Sequence, residues 1–192
     1  MRTRPHLTAV RRSIGIAIVL VAVVVGWLLV PNRVFYRAGR PTRLGRLANR
    51  GGAIYSGLGL PPSWWVTVET RGRVTGRTVS TTLVVGSHAG DVYLVAMLGE
   101  SSGWVRNARA DGGRAVIHHG RRRAVHLEEV PVAVRAPILR PYLRRARGAR
   151  PHFPIPPGAP LADFERIAAD YPVFRVTPAH ADDPPQRRPT AP

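Results

Sequence analysis

The chain has 192 residues, enough for one domain of ordinary size with appendages and too few for a second independent core. All of its cationic side chains are arginine, 29 against 11 acidic residues, giving a net charge of +18. That field favours polyanions: nucleic acid, anionic lipid headgroups, or a phosphorylated and carboxylated cofactor. With no cysteine, disulfide frameworks, thiolate zinc sites and cysteine nucleophiles are excluded.

Residues 1–12 are a basic N-terminal segment. Ser13 to Val30 then runs 18 residues without a charge, about 27 Å as a helix and nearly a bilayer core. Trp27 suits the interface near one end, and Pro31-Asn32 stops the run. No small-x-small cleavage site follows, so 13–30 reads as an uncleaved single-pass transmembrane helix in the cell membrane. Arg2, Arg4, Arg11 and Arg12 precede it, whereas Arg33, Arg37, Arg40, Arg43, Arg46 and Arg50 follow, a bias that puts the domain on the cytoplasmic side. Residues 31–62 are a basic juxtamembrane segment. A short amphipathic helix around Thr42 to Ala48 is expected there, lying against anionic membrane lipid, with a plain linker as the alternative.

The domain spans 63–178. WWVTVET from Trp64 alternates like a half-buried strand, and Thr78 to Val85 and Val92 to Leu98 have the same character, with a turn at His88-Ala-Gly-Asp91. Trp104 to Ala110 is predicted as a helix stopped by Asp111-Gly112-Gly113. Strands follow at Arg114 to His119 and Arg123 to Val130. Pro137 and Pro141 imply that a helix there starts or kinks at Pro141. Leu161 to Asp170 is an amphipathic helix and Pro172 to Thr177 a sixth strand. The polar, proline-rich residues 179–192 read as a disordered tail. The fold class is mainly β within α+β: a small closed or split barrel of about six antiparallel strands with inserted helices.

The stretch that best suits chemistry is Arg71-Gly-Arg-Val-Thr-Gly-Arg-Thr78. Gly72 and Gly76 permit close backbone approach to a ligand, Arg73 and Arg77 supply planar cationic forks, and Thr75 supplies a hydroxyl. Such a turn suits phosphate, although it lacks the ending of a P-loop and opens no helix. Taken alone, an arginine-rich hairpin is more often a solvated turn.

In chain order, the Gly72-Arg-Val-Thr-Gly76 turn, a Thr-rich strand ending in Leu83, a strand to Val95-Ala96, and Trp104-Val-Arg-Asn107 together resemble the deazaflavin-dependent nitroreductase and quinone reductase family. The resemblance spans about Trp64 to Pro178. It implies an FMN-binding-split-barrel-like domain that binds coenzyme F-420 and passes a hydride to a quinone, nitroaromatic or similar small-molecule electron acceptor. By position it assigns cofactor contacts to Arg73, Val74, Thr75, Gly76, Thr82, Leu83, Val84, Ala96, Met97, Leu98 and Gly99. Trp104 and Asn107 fall where the inserted helix closes the pocket. Val74, Val79 and Thr82 stand where the family usually has lysine, arginine and proline, and Leu98-Gly-Glu-Ser-Ser102 replaces a longer Ser-Lys-Gly-Gly run. Arg77 and Arg106 are the cations placed to substitute. The tyrosines that assist protonation in some relatives have no match, Asp163 or Phe164 falling nearby, so no catalytic residue is assigned.

The remaining features have plain readings. Trp104 also fits a core position, and Asn107, on the same helical face, serves a buried amide or a ligand equally well. His118 and His119 point to opposite strand faces, as do Glu128 and Glu129, so neither makes a paired site. His126 leaves a metal centre without a third ligand. Gly57-Leu-Gly59 meets Pro61 with no helix behind it, and Ser101-Ser102 lacks a nucleophile elbow. Three alternatives compete with F-420: FMN, heme, or a non-enzymatic basic domain that binds lipid. Nucleic acid is disfavoured by the absence of an aromatic ladder. Fold analogy adds the expectation of a homodimer.

Overall fold

The computed structural model describes residues 36–37 and 40–179. The expected transmembrane helix at 13–30, the basic segment before it and the tail beyond 179 lie outside the described residues. Among the described residues no helix is long and apolar enough to cross a membrane.

The elements are β1 (Tyr36–Arg37), β2 (Arg40–Pro41), α1 (Arg43–Gly57), β3 (Trp65–Arg71), β4 (Thr78–His88), β5 (Asp91–Val95), α2 (Gly103–Ala110), β6 (Arg114–His119), β7 (Arg121–Glu129), α3 (Ala136–Arg145), α4 (Leu161–Ile167) and β8 (Val173–Pro178). β1 and β2 form a two-stranded pair. The other six strands close a barrel in the order β3-β4-β5-β8-β7-β6, every neighbour antiparallel. The six antiparallel strands expected from the alternation are thus present, and the barrel is closed.

Alternation along each strand sorts side chains to two faces. Val66, Val68, Leu83, Leu94, Ile117, Leu127 and Phe174 form one buried cluster, joined by Trp104, Val105 and Ala108 of α2, which plugs the barrel. The opposite faces of β5 and β8 present Tyr93, Val95 and Val173 to α3 and α4, where Ile138, Leu139, Leu143 and Phe164 complete a second cluster. β4 pairs with β5 only from Val85 to His88. Its first half, Thr78 to Val84, pairs with β3 alone, so the barrel opens along that edge.

Several boundaries differ from the sequence expectation. The helix expected over Thr42 to Ala48 is the 15-residue α1, capped by Thr42, whose Oγ1 accepts from the Gly45 amide at 3.1 Å. Glycines at 45, 51, 52 and 57 weaken its intrinsic propensity, but they let it lie close on the barrel. A Cβ at Gly52 would stand 2.5 Å from Thr82 Oγ1, and one at Gly57 would stand 3.2 Å from His118 Cε1. The Ser56 and Thr67 hydroxyls lie 2.6 Å apart in the buried interface, and the Gly120 amide donates to Ser56 O at 2.7 Å.

Of the two alternatives at Pro141, a start or a kink, the start is excluded, because α3 is already helical before it. It begins at Ala136, with a proline in its first turn, and runs through Pro141 to Arg145. Proline forfeits one backbone bond there, and burial of Ile138, Leu139, Tyr142 and Leu143 on both sides of it offsets the loss. The strand expected to reach Leu98 ends at Val95, because the Ala96 amide turns to Pro172 O and a 3-10 turn begins at Gly99. The helix expected to reach Asp170 becomes a 3-10 turn after Ile167.

Candidate functional site: a cavity under α1 at the open edge of β4

A cavity of about 690 Å3 lies where β4 lacks its second partner. α1 supplies Arg46, Asn49, Arg50, Ala53 and Ile54, spaced as one helical face at i, i+3, i+4, i+7 and i+8. β4 contributes Thr78, Val79, Ser80, Thr81 and Leu83 from its unpaired half. Met97 and Leu98 form the connection after β5, and the start of α2 contributes Ser102, Gly103, Trp104 and Asn107.

The chemistry of this wall is apolar surface with a few donors and two cations. Trp104 is 4% exposed and meets Phe174 edge-on at 5.3 Å, so it serves both the barrel core and the cavity. Asn107 is nearly buried. Its Oδ1 accepts from the Arg73 amide at 3.3 Å and from Arg73 Nη1 at 3.4 Å, while Nδ2 donates to Thr70 Oγ1 at 3.3 Å. It therefore ties α2 to β3 and to the turn that follows. Ser102 makes no side-chain cap bond at the start of α2, so the unpaired amides and partial positive charge of a helix N-terminus form part of the wall. Arg46 and Arg50 add full positive charges, and none of the lining residues is acidic, a histidine or a tyrosine.

Of the residues assigned from the sequence, Leu83, Met97, Leu98, Trp104 and Asn107 come together on this wall. Arg73 does not line it; it is exposed in the turn after β3 and donates to Asn107. Val74, Thr75, Gly76 and Arg77 lie in an exposed turn off the wall, Val74 being 83% exposed. The Gly72 and Gly76 amides are used inside that turn, donating to Arg77 O at 2.8 Å and Gly72 O at 2.7 Å. Thr82 faces α1, donating to Asn49 O at 3.4 Å. Val84 packs against the outer cluster, Ala96 is buried in the barrel, and Gly99 abuts Asp170, whose carbonyl a Cβ would meet at 2.7 Å. Arg106 donates to Ser101 O at 2.7 Å and does not line the cavity. The helix face from Arg46 to Ile54 was missed by the sequence reading. Its signal was the helical spacing of two arginines and an asparagine, hidden among glycines.

A second hollow of about 320 Å3 shares Met97 and Leu98 and is bordered by Gly99, Ser101, His152, Asp170 and Tyr171. The Tyr171 hydroxyl donates to His152 O at 2.6 Å, and burial raises its pKa. Outside the cavity, Arg109 bridges Glu100 at 2.5 Å and Glu129 at 2.6 Å, and Glu129 also meets buried Arg135 at 3.1 Å. The hydrogen bond from Arg109 holds the Glu100 carboxyl below its ordinary range. Among the described residues no group of three potential ligands could hold a metal ion. His126 stands opposite Arg114, and His118 and His119 stand opposite Arg122 and Arg121, so the histidines are not cross-strand partners.

A family profile described as F420H(2)-dependent quinone reductase matches residues 48–149, from within α1 through α3. No curated protein matches the chain. Among solved structures, the chain is similar to Atu2129, of unknown function, from Agrobacterium tumefaciens str. C58. The identity is 16% over 76% of this chain and 58% of that one, with a TM-score of 0.46. It is also similar to an F420-H2 dependent reductase, FDR-A, at 18% identity over 59% of this chain and 93% of that one, TM-score 0.36. Campylobacter jejuni ChuZ is 11% identical over 72% of this chain and 55% of that one, TM-score 0.40. The chain thus spans little more than half the length of the first and third. At these TM-scores the likenesses add nothing to the family match.

Proposed function

Since the chain belongs to the F420H(2)-dependent quinone reductase family, oxidoreductases whose cofactor is coenzyme F420, we propose that the cavity under α1 holds the reduced deazaflavin and admits a quinone, nitroaromatic or similar electron-poor acceptor. The protein acts at the cell membrane, anchored through 13–30 with its barrel on the cytoplasmic side. The observation that carries the reading is the cavity itself: about 690 Å3, within the range of small-molecule sites, apolar over most of its wall and cationic at α1.

The donor set fits the cofactor. Leu83, Met97, Leu98 and Trp104 offer apolar surface for a planar ring, and Asn49, Ser102 and Asn107 offer polar groups that fix its orientation. Arg46 and Arg50 suit a phosphate and a polycarboxylate tail, reinforced by the start of α2. They supply charge that Val74 and Val79 do not. When bound, the reduced deazaflavin supplies the hydride. With no carboxylate, histidine or tyrosine on the wall, the work of these side chains is orientation, charge neutralisation and exclusion of water.

The test is turnover by the full chain in detergent, followed as the return of the oxidised chromophore's fluorescence with a naphthoquinone and with a nitroaromatic. Oxidation of the reduced cofactor is expected, with Arg50→Ala raising the cofactor KM about tenfold or more through loss of a charged hydrogen bond. A folded protein that oxidises reduced F420 with neither acceptor would contradict the reading.

A further inference from the structure

The segment that leaves β5 forms one wall of the cavity with open space on two sides. Met97 and Leu98 border both the cavity and the second hollow, and with Gly99 they are only half-buried. Trp104 and Asn107 of α2 line the same cavity. Whatever joins the segment to α2 therefore sets how these two walls stand relative to each other.

Two arginines make that connection. At 100° per residue, Arg106 and Arg109 share the helical face opposite to Trp104 and Asn107. Arg106 Nη2 donates to Ser101 O at 2.7 Å. Arg109 takes the Glu100 carboxylate in a fork, Nη1 to Oε2 at 2.5 Å and Nη2 to Oε1 at 3.0 Å. It takes Glu129, at the end of β7, in a second fork, Nε to Oε2 at 2.7 Å and Nη2 to Oε1 at 2.6 Å. Glu129 Oε1 also accepts from Arg135, which is buried before α3 and donates to Val130 O at 2.8 Å and Ala168 O at 3.3 Å. The turn at Glu100, α2 and the end of β7 thus meet at one guanidinium, and Glu129 carries the link on to Arg135.

Exposure divides the consequences. The Arg109 and Glu100 side chains are 38% and 57% exposed, so their pairing contributes little to stability. Arg135 keeps Glu129 as its partner when Arg109 is lost, so the barrel keeps that brace. What Arg109 supplies is the link from α2 and the barrel to the turn that follows Met97 and Leu98.

We infer that Arg109 is a positioning residue: through Glu100 it fixes the Met97-Leu98 wall against α2 and so sets the orientation of the ring these walls enclose, without itself lining the cavity. The orienting role rests on the cavity reading given above; the clasp does not.

The test compares Arg109→Gln, Glu100→Gln and the double variant with Arg175→Gln, a control whose pair with Glu128 is also exposed and whose residue does not line the cavity. In the full chain in detergent, amide exchange is expected to quicken at residues 97–102 of the first three and to stay unchanged in β3 and β6, with Tm no lower than in the control. The double variant should match the singles, because each removes the same link. With reduced F420 and a naphthoquinone, kcat should fall about tenfold or more, since a small misplacement at the reacting centre is costly. KM for F420 should stay near the wild-type value, because Arg46 and Arg50 are untouched. The circular dichroism induced in bound oxidised F420, a signature of ring orientation at saturation, should weaken in parallel. Exchange at 97–102 equal to the control's would overturn the clasp. Faster exchange throughout the barrel with a lower Tm would overturn it too, by making Arg109 a stabilising residue. Faster exchange at 97–102 with kcat and dichroism unchanged would overturn the positioning role. If the wild type binds no F420, the cavity reading fails and the exchange result still decides the clasp.

Discussion

Arg135 is 5% exposed yet carries a full charge. The site is made tolerable by acceptors on all sides: Val130 O at 2.8 Å, Ala168 O at 3.3 Å and the Glu129 carboxylate at 3.1 Å. Arg135→Met keeps the volume and strands those acceptors, so it should cost about 3 kcal/mol and lower Tm, as read by thermal unfolding. An unchanged Tm would mean that the guanidinium gains little over its own desolvation. Legibility was uneven at this scale. Trp104 and Asn107 were assigned to the pocket by the family resemblance, their spacing saying only that they share one helical face, and both line the cavity. Arg73 and Arg77 drew notice because they are conspicuous in sequence. Arg73 instead braces Asn107, and the adjacent glycine amides close their own turn. Composition marks a cation; it does not say whether the cation faces a ligand or another side chain.

Among the elements, the strands were the most legible, because the period-2 alternation is imposed by a barrel with one buried face. α1 was the least legible. The expected helix ended at Ala48, short of Gly51 and Gly52, and the contacts that hold the glycines in a helix, Gly52 on Thr82 and Gly57 on His118, are made by residues 30 and 61 positions away. A Gly52→Ala change separates the two effects. Intrinsic propensity favours alanine by about 1 kcal/mol, but the new Cβ would fall 2.5 Å from Thr82 Oγ1. The clash is predicted to win, giving a net loss of about 1 kcal/mol and faster amide exchange along α1. Thr82→Ala in the same chain should restore protection; if it does not, α1 is held by something other than this contact. At Pro141 the local signal left a start or a kink open, and burial on both sides of it accompanies a helix that continues through the proline.

For the molecule as a whole, pH dependence is set by charge pairs that join elements distant in sequence. Hydrogen bonds from Arg109 and Arg175 hold Glu100 and Glu128 below their ordinary values. A folded pKa below the unfolded one gives stabilisation that is complete above the unfolded value, near about 4.3, and is lost as pH falls through the folded values. At the alkaline end burial raises Tyr93 and Tyr171, so their contribution is complete below about 10 and is lost as pH rises through the folded values. Tm should therefore be level across neutral pH and fall on both sides; a Tm that rises between pH 5 and pH 3 would contradict the assignment of those carboxylates. The most direct test of the cavity as the F420 site is fluorescence titration of the full chain with oxidised F420, comparing wild type with Arg46→Ala, Arg50→Ala and Arg77→Ala. Saturable binding weakened about tenfold or more by each of the first two and unchanged by the third is the predicted result. Binding that depends on Arg77 and ignores Arg46 and Arg50 would move the cofactor to the exposed turn and contradict the account.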